Sequence, residues 1–343
     1  MAPQSNNLTL NDSLISSSEQ RFILEGCLDH CRQDGRARDQ SRPYSIVCDA
    51  TTTQTSDNNN NNNNNAASQQ TPLVFSNGSA RLLLPTGETH IVCSIKAEIV
   101  HPSSLQPNRG VVELSVDTLS ASSRNEELES TLLHLVGDFL VDYEKLCIVP
   151  NYYVWRLSVD LMMLCAHGGS IVDACSRVLQ AALRSTTLPC VTALAKENTL
   201  SDDKDADKPA LQVDADIAAA LAIPGVDQSP VIVTVTILKC QQTTSKAPTM
   251  ILILDATQQE ESCAFAQVHV SVDSQGTICA VQKAGGGSLP MPLLQDICQF
   301  AIASTTSDNT NGNATTATTN EKSSSETNTT YQYLLQEQFS IQQ

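Results

Sequence analysis

Aromatic residues are scarce in this chain of 343 residues, at 4% of the sequence. Aromatic side chains form the platforms on which proteins stack single-stranded nucleic acids, so their scarcity disfavours a free-standing RNA-binding module. Basic residues are also few, because 20 Lys and Arg stand against 37 Asp and Glu, which gives a net charge of −17. General nucleic-acid binders gain affinity by neutralising phosphates. A chain of this charge could contact RNA only through a local basic patch, or as one wall of a channel that is built mainly by partner proteins.

Membrane and metal-binding patterns are absent from the sequence. No apolar run approaches the length of a membrane span, and residues 1–10 lack the apolar core of a signal peptide, so we expect a soluble intracellular protein. The 12 cysteines contain no CxxC pair, and the closest set is Cys27, His30 and Cys31. We therefore expect no metal site and no cofactor. Cysteines such as Cys48, Cys93 and Cys279 have apolar neighbours, which predicts buried, reduced thiols.

Three polar stretches interrupt an otherwise patterned chain. The first lies near residues 51–70 and includes the run Asn58–Asn65, the second lies near 196–209, and the third begins at 304. None carries enough apolar side chains to offset the entropy lost on ordering. We predict a polar arm over 1–18, one folded domain over 19–303 with two disordered inserts, and a low-complexity tail over 304–343.

Hydrophobic periodicity divides the domain into groups of strands with helices between them. Asn77-Gly78 predicts a tight hairpin turn between the strands 73–76 and 80–84. Grouped strands with intervening helices predict the α+β class, with mixed sheets packed against helices. The predicted helices cover 19–31, 126–143, 170–184 and 290–302, and the other predicted strands cover 45–49, 89–100, 110–116, 153–165, 231–238, 250–254, 262–272 and 277–282.

Short motifs in a fixed order carry a family resemblance. Asp34-Gly35-Arg36 precedes Arg42-Pro43, a strand with Asn77-Gly78-Ser79-Ala80-Arg81 follows, and Val154–Asp160 and Leu252–Gly287 come later. In this order and spacing, residues 19–303 resemble RNase PH-like proteins, and among them the ring subunits of the eukaryotic RNA exosome. Two short runs indicate one particular ring subunit: Leu24-Glu25-Gly26-Cys27 and Val281-Gln282-Lys283.

The resemblance implies a fold, a role and a set of partners. The fold would be RNase PH-like, which is also described as ribosomal protein S5 domain 2-like. The chain would be one subunit of a hetero-hexameric ring of RNase PH-like subunits, topped by cap subunits with S1 and KH domains. Such a ring threads RNA towards an associated ribonuclease, and the expected locations are nucleus, nucleolus and cytoplasm.

Phosphate binding is the first requirement for activity in this family. Phosphorolytic members hold inorganic phosphate at a helix N-terminus, where backbone N–H groups point at the anion, and an arginine pairs with it bidentately. The matching run here is Gly168-Gly169-Ser170-Ile171, in which Ile171 stands at the arginine position. An aliphatic side chain offers no donor to the anion. We therefore interpret Gly169-Ser170 as a plain helix cap.

An acidic residue is the second requirement. The resemblance implies aspartates two residues apart on a later strand, where they share one face. Phe265 and Gln267 stand at those positions, and neither transfers a proton near neutral pH. Asp255, Glu260 and Glu261 lie close by and are interpreted as solvated turn carboxylates. We therefore predict no catalytic residues and a chain that is not an enzyme.

Contact with RNA is assigned to Arg36, Arg42 and Arg109. The alternative for Arg36 and Arg42 is an ion pair within the fold, since Asp34, Asp39 and Glu25 are near in sequence. Three other functions stay open: an active phosphate-dependent 3'-5' exoribonuclease, a chain that lends one wall to a partner's active site, and a free-standing RNA-binding module.

Overall fold

A computed structural model describes residues 15–48, 76–84, 87–118, 122–194, 209–214, 216–241 and 248–311. The run Asn58–Asn65, nearly all of both predicted inserts, and the chain beyond Asn311 lie outside these residues. The helices are α1 (Ser17–Leu28), α2 (Ser122–Val136), α3 (Ile171–Ser185), α4 (Gln258–Ser262) and α5 (Met291–Asn311). The strands are β1 (Ser45–Cys48), β2 (Gly78–Leu83), β3 (Thr89–Val100), β4 (Val111–Thr118), β5 (Cys147–Val149), β6 (Tyr153–Ala166), β7 (Thr187–Leu188), β8 (Val191–Leu194), β9 (Ala210–Val213), β10 (Leu221–Ala222), β11 (Val231–Cys240), β12 (Thr249–Leu254), β13 (Ala264–Val272) and β14 (Ile278–Ala284).

The first large sheet has the strand order β1-β2-β3-β6-β4, and β5 also pairs with β6. All its pairs are antiparallel except β4–β6, which is parallel. Along β6, buried residues such as Leu157, Val159 and Leu161 alternate with more exposed ones, because successive side chains of a strand point to opposite faces. The buried face packs against α2 and α3 and forms the larger core.

The second large sheet has the order β12-β11-β13-β14 and is antiparallel throughout. Valines of β11 and β13 form its apolar core with Ile297 and Ala301 of α5. Helix α1 packs on β11 and β12 through Ile23 and Cys27. The alternate positions of β13, such as Gln267 and His269, are polar and also buried. One mixed sheet and one antiparallel sheet, both packed against helices, confirm the predicted α+β class.

The predicted hairpin at Asn77-Gly78 is wrong. Gly78 lies within β2 and pairs with Ile95 of β3, while the Asn77 side-chain oxygen accepts a hydrogen bond from the Ala97 amide. A Cβ on Gly78 would lie 2.7 Å from the Thr186 amide nitrogen. Glycine is therefore required here for close approach of two backbones and not for a turn. The other predicted hairpin strand, residues 73–76, lies almost entirely outside the described residues.

Two helix ends and two short strand pairs also differ from the sequence pattern. Helix α2 ends at Val136 and passes into a short 3₁₀ helix, Gly137–Phe139, although a helix to residue 143 was predicted. Helix α5 continues to Asn311, into the predicted tail. The two short strand pairs β7–β10 and β8–β9 have no counterpart in the prediction. Strands of two to four residues are too short to show an alternation of polar and apolar positions.

The cysteines are only partly as predicted. Among the described residues no cysteine forms a disulfide, and Cys93 is buried, but Cys48 is exposed and Cys279 is half-buried. The prediction of a buried thiol is therefore wrong for Cys48, because it lies on the edge strand β1. Within the described residues, no helix is long and apolar enough to cross a membrane.

Candidate functional site

Three segments meet at the N-terminus of α3. They are the loop Gly168–Ser170, the turn from Asp255 to Glu261 after β12, and the segment from Arg32 to Arg42. Gly169 has a φ of 76°, and a Cβ at this residue would lie 2.7 Å from the Gln258 amide nitrogen. The absence of a side chain therefore lets the loop lie directly against the turn that leads into α4.

Ser170 does not cap α3 with its side chain, contrary to the prediction. Its hydroxyl donates to the Ala256 carbonyl at 3.2 Å, and its backbone has a φ of 49°. The Ser170 N–H, which points out of the helix start, donates instead to Glu261 Oε1 at 2.8 Å. Helix N-termini attract anions, and here the nearest anionic group is a carboxylate of the same chain.

Glu261 is buried, so its interpretation as a solvated turn carboxylate is wrong. Only 8% of the residue is exposed, and Oε1 also accepts a hydrogen bond from Gln267 Nε2 at 3.1 Å. Burial disfavours the charged form and raises the pKa of Glu261 to about 7, against the lowering effect of the hydrogen bonds from Ser170 and Gln267. The carboxyl is therefore partly protonated near neutral pH.

Glu260, also predicted to be solvated, forms an ion pair with Arg32 inside the fold. Arg32 Nη2 lies 2.7 Å from Glu260 Oε2 and Arg32 Nε lies 2.9 Å from Oε1, with neither side chain more than 1% exposed. Arg32 also donates to the carbonyls of Leu254 and Asp255. No sequence pattern indicates the role of Arg32, because its partner lies 228 residues away and neither residue is part of a motif.

The interpretation of Asp255 as a solvated turn carboxylate is also wrong, because its side chain is 16% exposed and lies between Arg36 and Arg42. Arg42 donates to both oxygens of Asp255, at 2.6 and 2.9 Å, and Arg36 Nη1 donates at 3.0 Å. Although burial alone would raise the pKa of Asp255, the hydrogen bonds from Arg42 hold it below the ordinary value. Arg36 also pairs with Asp34 at 2.6 Å. The geometry thus corresponds to the internal ion-pair alternative for Arg36 and Arg42.

The three positions that the sequence predicts to replace the family's functional residues have different environments. Ile171 is buried in the larger core. Gln267 lies against Glu261, whereas the ring of Phe265 lies against Gly287 and below the Lys239 ammonium, 5.1 Å from the ring centroid. A β-bulge between Ala264 and Ala266 interrupts the pairing of β13 with β11, so the two-residue alternation that predicted a shared face is broken there.

A second buried polar group lies beside Glu261 and has no sequence motif. The Asp173 carboxylate accepts the Thr234 N–H at 3.0 Å and also the Thr234 hydroxyl. Thr234 Oγ1 lies 2.8 Å from His269 Nδ1. Because the threonine proton points to Asp173, the imidazole Nδ1 must be the donor. Burial raises the pKa of Asp173 to about 6 and lowers that of His269 to about 4, so this histidine is neutral.

Arg109, the third candidate for RNA contact, lies in the loop between β3 and β4. Its guanidinium lies 4.4 Å from the Tyr143 ring centroid and 3.5 Å from Asp138, and the side chain is 38% exposed. Of the three candidate arginines, Arg109 is the one whose guanidinium is exposed to solvent. Among the residues that the structure describes, no group of three His, Cys, Asp or Glu is arranged to hold a metal ion.

Comparisons with known proteins agree with this architecture. Residues 229–304 match the 3' exoribonuclease family, domain 2. The Exosome complex component Rrp42 of Sulfurisphaera tokodaii is 26% identical over 82% of this chain and 88% of its own length. The putative exosome complex exonuclease RRP42 of Dictyostelium discoideum is 26% identical over 79% and 88%. The Exosome complex component RRP45 of Saccharomyces cerevisiae is 24% identical over 82% and 84%.

Solved structures show the same fold. The archaeal exosome core matches with a TM-score of 0.57 at 21% identity, covering 84% of this chain and 93% of that one. The Archaeoglobus fulgidus exosome with RNA bound to the active site matches with a TM-score of 0.58 at 20% identity, covering 85% and 96%. The ring subunit that the runs 24–27 and 281–283 indicate is ribosomal RNA-processing protein 42, a name that two of the three relatives carry. The fold is RNase PH-like, and in sequence the chain is similar to the Rrp42 and Rrp45 components of the exosome.

Proposed function

We propose that this chain is a non-catalytic structural subunit of the exosome core ring and supports 3'-5' RNA processing and degradation by a nuclease carried elsewhere. Its partners would be other RNase PH-like subunits, cap subunits with S1 and KH domains, the associated ribonuclease and RNA. The relatives named as exosome components cover four fifths of the chain, which supports the ring role. The proposed locations are nucleus, nucleolus and cytoplasm.

The single observation that carries the non-catalytic part is the carboxylate of Glu261 at the start of α3. It accepts the Ser170 N–H at 2.8 Å, where an incoming phosphate would need a donor. A dianion that approached this point would meet a buried group of the same sign when Glu261 is ionised. Arg42, the nearest arginine, is already bound by Asp255 on both carboxylate oxygens. These contacts favour a silent site over an active phosphorolytic one.

We expect the purified chain to show no phosphate-dependent degradation of RNA. Incubation with oligoadenylate and inorganic phosphate should release no nucleoside diphosphate, while an active RNase PH-like enzyme does so in parallel. The variant Ile171→Arg should stay silent, because Glu261 still accepts the Ser170 N–H. Turnover by the wild-type chain at the rate of the active enzyme would restore the exoribonuclease alternative. Turnover seen only after mixing with a partner subunit would support the composite site.

RNA contact by this chain is proposed for Arg109. An exposed guanidinium can reach a phosphate, and the Tyr143 ring beneath it holds the side chain in place. Arg36 and Arg42 would act on RNA only indirectly, by fixing the turn at Asp255.

Assembly is the direct test of the ring role. We expect the chain to self-associate or precipitate when expressed alone, and to form a stable complex when co-expressed with RNase PH-like chains of the same organism. Strands β1 and β4 are the edges of the first sheet among the described strands, and an edge offers unpaired N–H and C=O groups that a neighbouring subunit would cover. Size exclusion with light scattering measures both states. The proposal would be contradicted by a chain that is a stable monomer and binds none of the RNase PH-like chains.

A further inference from the structure

The two faces of the second large sheet differ in chemistry. One face is lined by valines of β11 and β13 and packs against α5. The other face lies against α3, where Asp173 and Ser176 accept hydrogen bonds from backbone amides of β11. Helix α2 also contacts β13 and β14, and Ala280 of β14 packs against the larger core. The polar side chains of this second face are therefore enclosed between the sheet and the helices.

Three polar atoms of the enclosed face have no hydrogen-bond partner among the described residues. They are His269 Nε2, Ser271 Oγ and Gln282 Oε1, and each atom is shielded from solvent. The exposed fraction is 2% for His269 and 0% for Ser271. Buried polar atoms of folded proteins are nearly always paired, either with protein groups or with ordered water. Three unpaired atoms on one face point to a shared partner.

Strand register places these three side chains together. Gln282 of β14 is directly opposite His269 of β13, and Ser271 is directly opposite Ala280. Residues opposite each other on antiparallel strands point to the same side, with their Cβ atoms about 5 Å apart. His269 and Ser271 are two residues apart on one strand and therefore share that side as well. One small partner can thus reach all three groups.

The donors and acceptors of the three groups define what this partner must be. His269 Nδ1 carries the ring proton, because it lies 2.8 Å from Thr234 Oγ1, whose own proton is donated to Asp173. In the neutral ring Nε2 is then an acceptor, as is the Gln282 carbonyl oxygen. Two acceptors cannot bond to each other, and the Ser271 hydroxyl has a single proton to give. A partner with two protons and one acceptor position satisfies the whole set.

We propose that one water molecule is bound at this point between β13 and β14. It donates to His269 Nε2 and Gln282 Oε1 and accepts the Ser271 hydroxyl proton, which gives it the three hydrogen bonds typical of buried water. A cation fits less well, since it would lose its hydration shell in a buried position. Among the described residues, no group of three His, Cys, Asp or Glu is arranged to hold a metal.

The bound water would complete a chain of hydrogen bonds across the second sheet. The chain starts at Asp173 in the first turn of α3 and passes through Thr234 and His269. The water extends it to Gln282 on β14, an edge strand among the strands described. The water therefore ties the helix that packs on the first sheet to the far edge of the second. This role does not depend on the proposed ring function.

A crystal structure of the full-length chain, alone or bound to its partner subunits, tests the site directly. At a resolution that shows ordered water, we expect one density peak within about 2.7–3.2 Å of all three atoms. Crystals grown with rubidium chloride in place of sodium chloride identify a cation by its anomalous signal. Such a signal at this peak would overturn the proposal. A direct contact of His269 with Gln282 or Ser271, with no density between them, would overturn it too.

A double-mutant cycle tests the same water in solution. Ser271→Ala and Gln282→Leu each remove one of its partners, although no hydrogen bond joins these two side chains directly. Their effects on the folding equilibrium constant, measured by urea denaturation, should therefore depart from additivity by at least about 3-fold. Ser115→Ala, at an exposed position of the first sheet, is the matched control and should be additive with Gln282→Leu. Additivity in both cycles would contradict a shared water.

Discussion

Replacing Arg32 by methionine is expected to lower the free energy of unfolding by about 3–5 kcal/mol, the cost of leaving one member of a buried ion pair alone. Arg32 and Glu260 are 2% and 1% exposed, so water cannot solvate the remaining carboxylate. The arginine also donates to the carbonyls of Leu254 and Asp255, and these acceptors would lose their partner as well. Urea denaturation followed by circular dichroism measures the change.

A second substitution should recover much of that loss. Glu260 accepts the Thr257 N–H at 2.8 Å in a capping box at the start of α4, and glutamine can fill the same capping role. Glu260→Gln on the Arg32→Met background removes the buried charge and keeps the cap. Arg21→Met is the matched control, since Arg21 pairs with Glu25 on the exposed side of α1, and its loss should change stability little. A loss in the double variant as large as in Arg32→Met would mean that the unpaired charge is not the cause.

The contrast between Arg32 and its neighbours shows what the sequence could predict. Hydrophobic periodicity predicted most strands and helices, because the alternation of buried and exposed side chains in each element is visible within a few residues of sequence. The Asp34-Gly35-Arg36 and Arg42-Pro43 motifs carried the family resemblance, and the ion pair of Arg36 with Asp34 was open as a local alternative. The pairing of Arg42 with Asp255 joins residues 213 apart. Only the topology of the second sheet brings that carboxylate to the start of α3, and no local pattern encodes it.

The misreading of Glu260 and Glu261 has the same origin. Acidic residues beside a short turn are usually solvated. The sequence between Glu261 and Gln267 gave no sign that these two side chains are in contact. Burial of both acids follows from α4 lying below Gly169, where the missing side chain allows close approach. Asn77-Gly78 shows the converse error. Turn statistics predicted a hairpin, but Gly78 lies inside β2, where its close packing against Thr186 leaves no room for a side chain.

Glu261 should contribute a fall in the stability of the wild-type chain as pH rises from about 4.5 to above 7. Its pKa is about 7 in the fold, against 4.5 for an unperturbed glutamic acid. The folded chain therefore holds a proton that the unfolded chain has already released, so raising the pH favours unfolding across this window. A shift of this size corresponds to about 3 kcal/mol, at 1.36 kcal/mol for each pH unit.

Glu261→Gln isolates this contribution, because the amide does not titrate and its oxygen can still accept the Ser170 N–H. Near pH 5 the wild type carries a neutral carboxyl, so the two proteins should be similarly stable. Above pH 7.5 the variant should be the more stable by about 3 kcal/mol. Asp173, Asp255, Arg42 and His269 surround the site in both proteins, so their own titrations largely cancel in the difference.

Urea unfolding at half-unit steps from pH 5 to 8.5 gives the difference curve, and Glu25→Gln on the exposed side of α1 is the matched control, with little expected change at any pH. A difference between Glu261→Gln and the wild type that stays constant over this range would show that Glu261 keeps its ordinary pKa. The carboxylate would then be fully charged at the start of α3 and would repel a phosphate at every physiological pH. A difference that grows with pH instead means that burial dominates, and that the chain has filled its anion position with a group that is charged only in part.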